Sequence, residues 1–350
     1  MRVLYTNIKD LVSWVMLLSI IIVNYKSTQY IVDCLNAATP SFIQRKDVEW
    51  IIVDNDSKDD SESILTARFP FISYMQMGYN AGFARANNAG IKAAKGEQVL
   101  LLNPDTILVP GTIEQCLERL MRSAHVACGV QLVHADLSPQ FSASHFVKGG
   151  MNHLLSIPYW GATVKAMASF FIKEKPAIIE VGREQLVDWV SGAFLMVKKT
   201  AIDKAGLLDE DFFLYAEEVE WCSRLRKWGT LCVYGDLKMI HLIGTSIQDA
   251  TNAADNSYTN LSDKKGLQLM VSNHVRIRKQ YGVFWFLFQL LNYTWAIPYA
   301  FVMSVVLHIA HMKNPFTDCA ALFGFAKNVL RLWRLTPTIL RNRRHFYKCI

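Results

Sequence analysis

Three short apolar runs in this 350-residue chain each finish on amides and carboxylates. Ser19 to Tyr25 passes through Asn24, Glu49 to Ser57 ends in Asp54, Asn55 and Asp56, and Gln98 to Thr106 ends in Asn103, Pro104 and Asp105. A carboxylate or amide at such a position can read the imide edge of a pyrimidine ring. A carboxylate beside phosphate oxygens can hold Mg²⁺ or Mn²⁺. The same residues also suit plain turns, because Asx side chains bond their own backbone and Asn-Pro-Asp reverses a chain. Asn80 to Asn88 joins a glycine turn at Gly82 to a helix start. Its amides and Arg85 could face phosphate, or the segment could simply cap a helix. Glu217, Glu218 and Glu220 open a further helical stretch, where acids suit the positive end of the helix dipole. His241 follows a strand-like run and is either a metal ligand or a structural histidine.

Such residues need elements to hold them. The three β-branched, unalternating runs read as fully buried parallel strands, and the helical stretches Ser61 to Arg68 and Ala84 to Lys95 fall between them. The resulting β-α-β-α-β order predicts an α/β fold with a mainly parallel central sheet. Ligands of such sheets bind beyond the carboxyl ends of the strands, which is where the amides and acids collect. Phe141 to Lys175 has no clean period and reads as a loop-rich insertion. Val187 to Val197 reads as a strand pair bent around Gly192, and Leu214 to Trp228 as one helix.

Composition bounds the partners. The hydrophobic fraction is 51% and the charged fraction 19%; with a mean hydropathy of +0.15, this predicts membrane contact somewhere. The net charge of +7 fits an anionic partner without choosing among nucleic acid, lipid and phosphorylated substrate. Seven scattered cysteines without a CxxC pair predict reduced thiols in a cytosolic compartment. Leu11 to Val23 is apolar, but Asp10 on its flank and the lack of a small-residue cleavage site favour a buried strand over a signal peptide. Tyr281 to Met312 contains no charged residue, and a tail with Arg331, Arg334, Arg341, Arg343, Arg344 and Lys348 follows. That pairing predicts attachment to an anionic, cytoplasmic leaflet, with Pro298 expected to split the run into an interfacial or re-entrant helical pair.

In order, the segments SIIIVNYKS (Ser19 to Ser27), VDNDSKDDS (Val53 to Ser61), NAGFARANNAGIKAAKG (Asn80 to Gly96), LLNPDT (Leu101 to Thr106), SGAFLMVKK (Ser191 to Lys199) and FFLYAEEVEWCSRLRKWG (Phe212 to Gly229) resemble the family 2 glycosyltransferases of the GT-A fold. Within that family they are most similar to rhamnosyltransferase-like members that build bacterial surface polysaccharides. The resemblance spans about Leu18 to Thr245. It implies three regions: an N-terminal extension (1–15), a GT-A catalytic domain (16–250), and a helical, apolar, membrane-associating C-terminal region (251–350).

The resemblance also implies roles. Asp54 would read a uracil or thymine ring, with Asn24, Asn55 and Asp56 shaping that site. Asn80, Gly82, Arg85 and Asn87 would hold the donor, while Trp189, Ser191 and Gly192 would line the donor and acceptor pocket. Asp105 would bind Mg²⁺ or Mn²⁺ with help from His241, and Asn103 replaces the first acid of the family's DXD motif. Glu218 would be the general base, with Glu217 the alternative, because Glu stands here for the usual Asp. The implied activity is inverting transfer of a sugar, such as rhamnose from dTDP-rhamnose or another dTDP- or UDP-linked donor, to a lipid-linked oligosaccharide. The implied place is the cytoplasmic face of the bacterial inner membrane, with no nucleic acid partner. A processive synthase is disfavoured by the lack of QxxRW, and a nucleotidyltransferase by the lack of a glycine-rich opening loop. The rival from another class is a catalytically inactive glycan-binding or scaffold subunit.

Overall fold

The computed structural model describes residues 15–168, 177–178, 180–242, 260–314 and 316–350. The expected boundary at 250 and most of the N-terminal extension lie outside the described residues.

Strands β1 (Leu18–Asn24), β2 (Val48–Asp54), β3 (Ile72–Gln76) and β4 (Gln98–Leu102) alternate with helices α1 (Thr28–Asn36), α2 (Pro40–Ile43), α3 (Ser61–Arg68) and α4 (Gly82–Ala93). Next come β5 (Thr106–Ile107), α5 (Thr112–Arg122), β6 (Ala127–Val133), β7 (Ala143–Ser144) and α6 (Trp160–Ala168). The short strands β8 (Ala177–Ile178), β9 (Gln185–Val187) and β10 (Trp189–Val190) precede β11 (Phe194–Lys198) and α7 (Lys199–Ala205). Then follow α8 (Glu217–Leu225), β12 (Leu231–His241), α9 (Lys264–Tyr281), α10 (Val283–Ala310) and α11 (Cys319–Arg341).

The main sheet runs β3-β2-β1-β4-β11-β6-β12-β5, with β9 also paired to β12. The pairings β1–β2 and β1–β4 are parallel, as the three-run pattern predicts; β3, which that pattern does not contain, adds a parallel pairing with β2, and β11 is antiparallel to both β4 and β6. Successive side chains of a strand point to opposite faces. Accordingly Ile21, Val23, Ile51 and Val53 enter one core, and Ile20, Ile22, Trp50 and Ile52 enter the other.

The first core does not stop at the sheet. Leu267 and Met270 of α9, Phe286 and Leu290 of α10, Phe325 and Leu332 of α11, and Tyr347 belong to the same cluster as Phe212 and Trp221. Helices α9 to α11 are therefore packed into the same core as the sheet.

Three local expectations differ from the structure. The insertion after Phe141 contains β7, a 3₁₀ segment at Lys148–Ser156 and α6. The helix expected from Leu214 starts only at Glu217, because Tyr215 and Ala216 take left-handed backbone conformations with φ of 71° and 67°. Pro298 does not split the apolar run; it lies inside the single helix α10. A proline removes one N–H and crowds the carbonyl four residues back, but packing of the helix outweighs that loss: Phe286, Gln289, Leu290, Tyr293, Ala296 and Ala300 are all buried along one side.

Candidate active site

A cleft of about 510 Å³ opens at the carboxyl ends of β1, β2 and β4. Of the residues singled out in the sequence, Asn55, Asn80, Gly82, Asn103, Ser191, Gly192, Glu217, Glu218 and His241 line it. Asn24, Asp54, Asp56, Arg85, Asn87, Asp105 and Trp189 are not on its wall, and each has a definite place behind it or beside it.

Asp54 lies directly opposite Asn24 in the β1–β2 register. It is 1% exposed, and its carboxylate accepts from Asn24 Nδ2 at 2.7 Å and from the amides of Asp56 at 3.1 Å and Ser57 at 3.0 Å. The carboxylate expected at a ring edge is thus turned into the protein, where it fixes the strand-end turn and leaves Asp56 in the left-handed region. That turn aims Asn55, whose side chain donates to Asn80 Oδ1 at 3.0 Å and accepts from the Ala81 amide at 2.7 Å. Asn55 is the wall residue and Asp54 its support.

The loop so held leads into Gly82. Its φ is 76°, and a Cβ there would run into the Phe213 carbonyl, which instead accepts from the Phe83 amide at 2.8 Å. Only glycine combines that backbone with that approach. Gly82→Ala should cost about 2 kcal/mol or more of stability, and a chemical denaturation midpoint close to wild type would refute this account of the loop. Asn87 is buried in α4 and bonds the Phe83 carbonyl at 2.9 Å. Arg85, expected at phosphate, instead donates to the Glu210 carbonyl at 3.1 Å and stacks 3.8 Å from the centre of the Phe346 ring. Trp189 packs on Phe141 with centroids 5.2 Å apart.

The two consecutive left-handed residues before α8 store strain of roughly 1 kcal/mol or more each, and they turn the first helical residues toward the cleft. Glu217 is 3% exposed, while Glu218 is half-buried. Burial, and then the charge of Glu218, push the proton affinity of Glu217 well above the ordinary glutamate range. Burial raises Glu218 as well, with buried Arg276 opposing the rise. Arg276 is held by Gln280 Oε1 at 2.6 Å and His153 Nε2 at 2.8 Å. Gly192 lies beside Glu218 on the cleft wall: a methyl at that position would make ordinary contact, 3.6 Å from the Glu218 Cβ and Cγ.

Asp105 and His241 meet because β5 pairs antiparallel with β12, placing Thr106 opposite His241, and because the Leu242 amide donates to the Asp105 carbonyl at 2.9 Å. Asp105 Oδ1 and His241 Nε2 are 3.5 Å apart. On the other side of the ring, Nδ1 lies 3.2 Å from Gln140 Oε1, while the Gln140 amide nitrogen donates back to the His241 carbonyl. A hydrogen on Nδ1 for that bond leaves the Nε2 lone pair directed toward Asp105, the tautomer a metal ligand needs. Among the described residues no third His, Cys, Asp or Glu completes a cage. A carboxylate and an imidazole are donors that would suit a divalent ion such as Mg²⁺ or Mn²⁺.

Residues to which the sequence reading gave no role in the site also form the wall, among them Tyr25, Phe83, Phe213, Tyr215 and Lys348, the last expected only as part of a basic tail. Phe213 and Tyr215 sit inside the FFLYAEE segment and so had a signal, whereas Lys348 had none as a site residue.

Comparison with known proteins shows the family and the fold. The family model described as "Glycosyl transferase family 2" matches residues 19–174. The chain is 30% identical over 213 residues to an N-acetylglucosaminyl-diphospho-decaprenol L-rhamnosyltransferase of Mycobacterium tuberculosis, covering 56% of this chain and 67% of that protein. It is 27% identical over 214 residues to a low-salt glycan biosynthesis hexosyltransferase of Haloferax volcanii, covering 60% of this chain and 62% of that one. In fold, it superposes on a Pyrobaculum calidifontis mannosyltransferase solved with GDP-Man and Mn²⁺, with a TM-score of 0.50 at 15% identity, over 93% of this chain and 85% of that one. The chain belongs to glycosyl transferase family 2 and is a glycosyltransferase with the GT-A fold.

Proposed function

We propose that this chain moves a sugar, rhamnose first, from a dTDP- or UDP-linked donor to a hydroxyl of a lipid-linked glycan, with inversion at the anomeric carbon. The observation that carries the reading is Glu218, a carboxylate of raised proton affinity at the first turn of α8, on the cleft wall beside a glycine. A base so placed accepts the acceptor's hydroxyl proton as that oxygen bonds to the anomeric carbon. The bond from that carbon to the diphosphate breaks, and its electron pair leaves with the nucleotide. Glu217, more deeply buried, has its proton affinity raised by burial and then by the charge of Glu218. Mg²⁺ or Mn²⁺ held by Asp105 and His241 would neutralise charge on the departing diphosphate. The lipid-diphosphate acceptor in the name of the mycobacterial relative supports a lipid-linked acceptor, and the Mn²⁺ of the structural neighbour supports a divalent ion.

Attachment to the cytoplasmic face of a membrane belongs to the same proposal. α10 is long and apolar enough to cross a bilayer, and only 28% of its most apolar window is buried. Phe284, Leu291, Trp295, Val302 and Ile309 are exposed on it. The side of α10 that packs into the protein, where Gln289 donates to the Gly149 carbonyl at 2.9 Å, favours lying on the surface over spanning. Arg341, Arg343 and Arg344 are exposed nearby in sequence and would each add about 1 kcal/mol at an anionic leaflet.

The test supplies the full chain with dTDP-rhamnose, UDP-sugars and GDP-mannose, a polyprenyl-diphosphate glycan and anionic vesicles. Transfer from one pyrimidine donor, an inverted product anomer by NMR, and vesicle binding that salt weakens only in part are expected. Retention of configuration would remove Glu218 as base. Full activity on the lipid acceptor without vesicle binding would remove the membrane role. An inactive glycan-binding subunit would show no turnover with any donor.

A further inference from the structure

A nucleoside diphosphate would bring at least two negative charges into a cleft already walled by Glu217 and Glu218. Among the described residues lining that cleft, one is a lysine or arginine, and it is Lys348. Lys348 lies far outside the matched family segment at 19–174.

The chain delivers it by a clamp. The Tyr347 amide donates to the Asp211 carbonyl at 2.9 Å, and the His345 amide donates to the Asp211 carboxylate at 2.9 Å. Gln268, fully buried in α9, donates to the Tyr347 carbonyl at 2.9 Å and accepts from the Cys349 amide at 2.8 Å. These bonds fix the backbone on both sides of Lys348. Phe346 adds a second anchor, packed 5.7 Å from Phe213 and under the Arg85 guanidinium. The Lys348 side chain remains exposed, with Nζ 4.9 Å from the centre of the Phe213 ring and donating to the Asn80 carbonyl at 3.3 Å. Asn80 is bonded to Asn55, so the ammonium stands on the wall built from the β2 turn.

We propose that Lys348 is an anion-binding residue of the donor site, its ammonium pairing with the diphosphate of the nucleotide sugar, and that residues 345–350 form one wall of that site. The inference rests on the donor reading above. A backbone held on both sides, carrying a solvent-exposed ammonium, suits a group that must bind a diphosphate and then release it as product. It also gives Arg85 a purpose different from the phosphate contact expected of it: the guanidinium holds the strap that carries the cation.

The test titrates the full chain, with Mn²⁺ present, with UDP, dTDP and GDP and with uridine and thymidine, at low and high salt, for wild type, Lys348→Met and Lys348→Arg. Lys348→Met should weaken binding of the preferred nucleoside diphosphate about tenfold, the scale of a charge-assisted contact. It should leave nucleoside binding unchanged, flatten the salt dependence and keep the thermal midpoint, while Lys348→Arg restores most of the affinity. If the wild type binds no nucleoside diphosphate, the donor reading itself fails. If the wild type binds and Lys348→Met binds equally well, only the role of Lys348 fails. Equal loss of nucleoside and diphosphate affinity would make the strap structural. Normal nucleotide binding with a raised KM for a polyprenyl-diphosphate glycan would move the ammonium to the acceptor.

Discussion

Replacing Glu218 by Gln is expected to lower transfer by about 10²-fold or more, the usual scale for loss of a general base, while nucleotide binding stays near wild type. Glutamine keeps the size of the side chain and its place against Gly192 but cannot take the hydroxyl proton. The pH profile supplies a second readout. Burial raises the proton affinity of Glu218, so the active, deprotonated form is lost as pH falls through a value above the ordinary glutamate range. The acid limb of kcat should therefore lie in that raised region and disappear in the variant. The stability effect has the opposite sense: a carboxyl whose folded-state pKa is raised stabilises the fold at low pH and loses that contribution as pH rises. Glu217, buried more deeply and raised further by the charge of its neighbour, contributes most to that loss. Glu217→Gln should accordingly hold or gain stability at neutral pH and keep turnover. If Glu217→Gln is the dead variant and Glu218→Gln turns over, the base is the neighbour.

Asp105→Ala is expected to reduce transfer on the order of 10³-fold, because a divalent ion contributes several kcal/mol to stabilising a departing diphosphate. Chelation of the wild-type enzyme with excess EDTA should produce a comparable loss, reversed by Mn²⁺. Binding gives an independent measurement: paramagnetic broadening of a bound nucleoside diphosphate by Mn²⁺ should be present in wild type and lost in Asp105→Ala. His241→Ala should weaken Mn²⁺ binding less, since the imidazole is the neutral partner of the pair. Full activity of Asp105→Ala in EDTA would remove the metal from the reaction. Asn103→Asp is expected to be tolerated, since Asn103 already lines the cleft.

Much of the frame was legible because it depends on local pattern. The unbroken apolar runs ending at Asn24, Asp54 and Leu102 read as strands buried on both faces, and parallel pairing follows from the helices between them. The positions of Asn55 and Asn103 just beyond strand ends followed from the same runs, and both line the cleft. Side-chain direction at those ends was not legible. Asp54 and Asn55 are neighbours, yet the carboxylate turns inward to Asn24 while the amide reaches the Asn80 loop; which of them faces the cleft depends on the partner strand.

What the sequence determined by itself is therefore the three parallel strands and the helices between them, the family, and the identities of the acids at the strand and helix ends, because periodicity and end chemistry act within a few residues. The tertiary structure decided which distant groups meet. The β5–β12 pairing sets His241 beside Asp105, the packing of α10 carries its helix through Pro298, and a tail clamped by Gln268 and Asp211 brings Lys348 to the carbonyl of Asn80, 268 residues earlier. Contacts at such separations depend on strand register and on which faces share a core, and no short window of residues encodes either one.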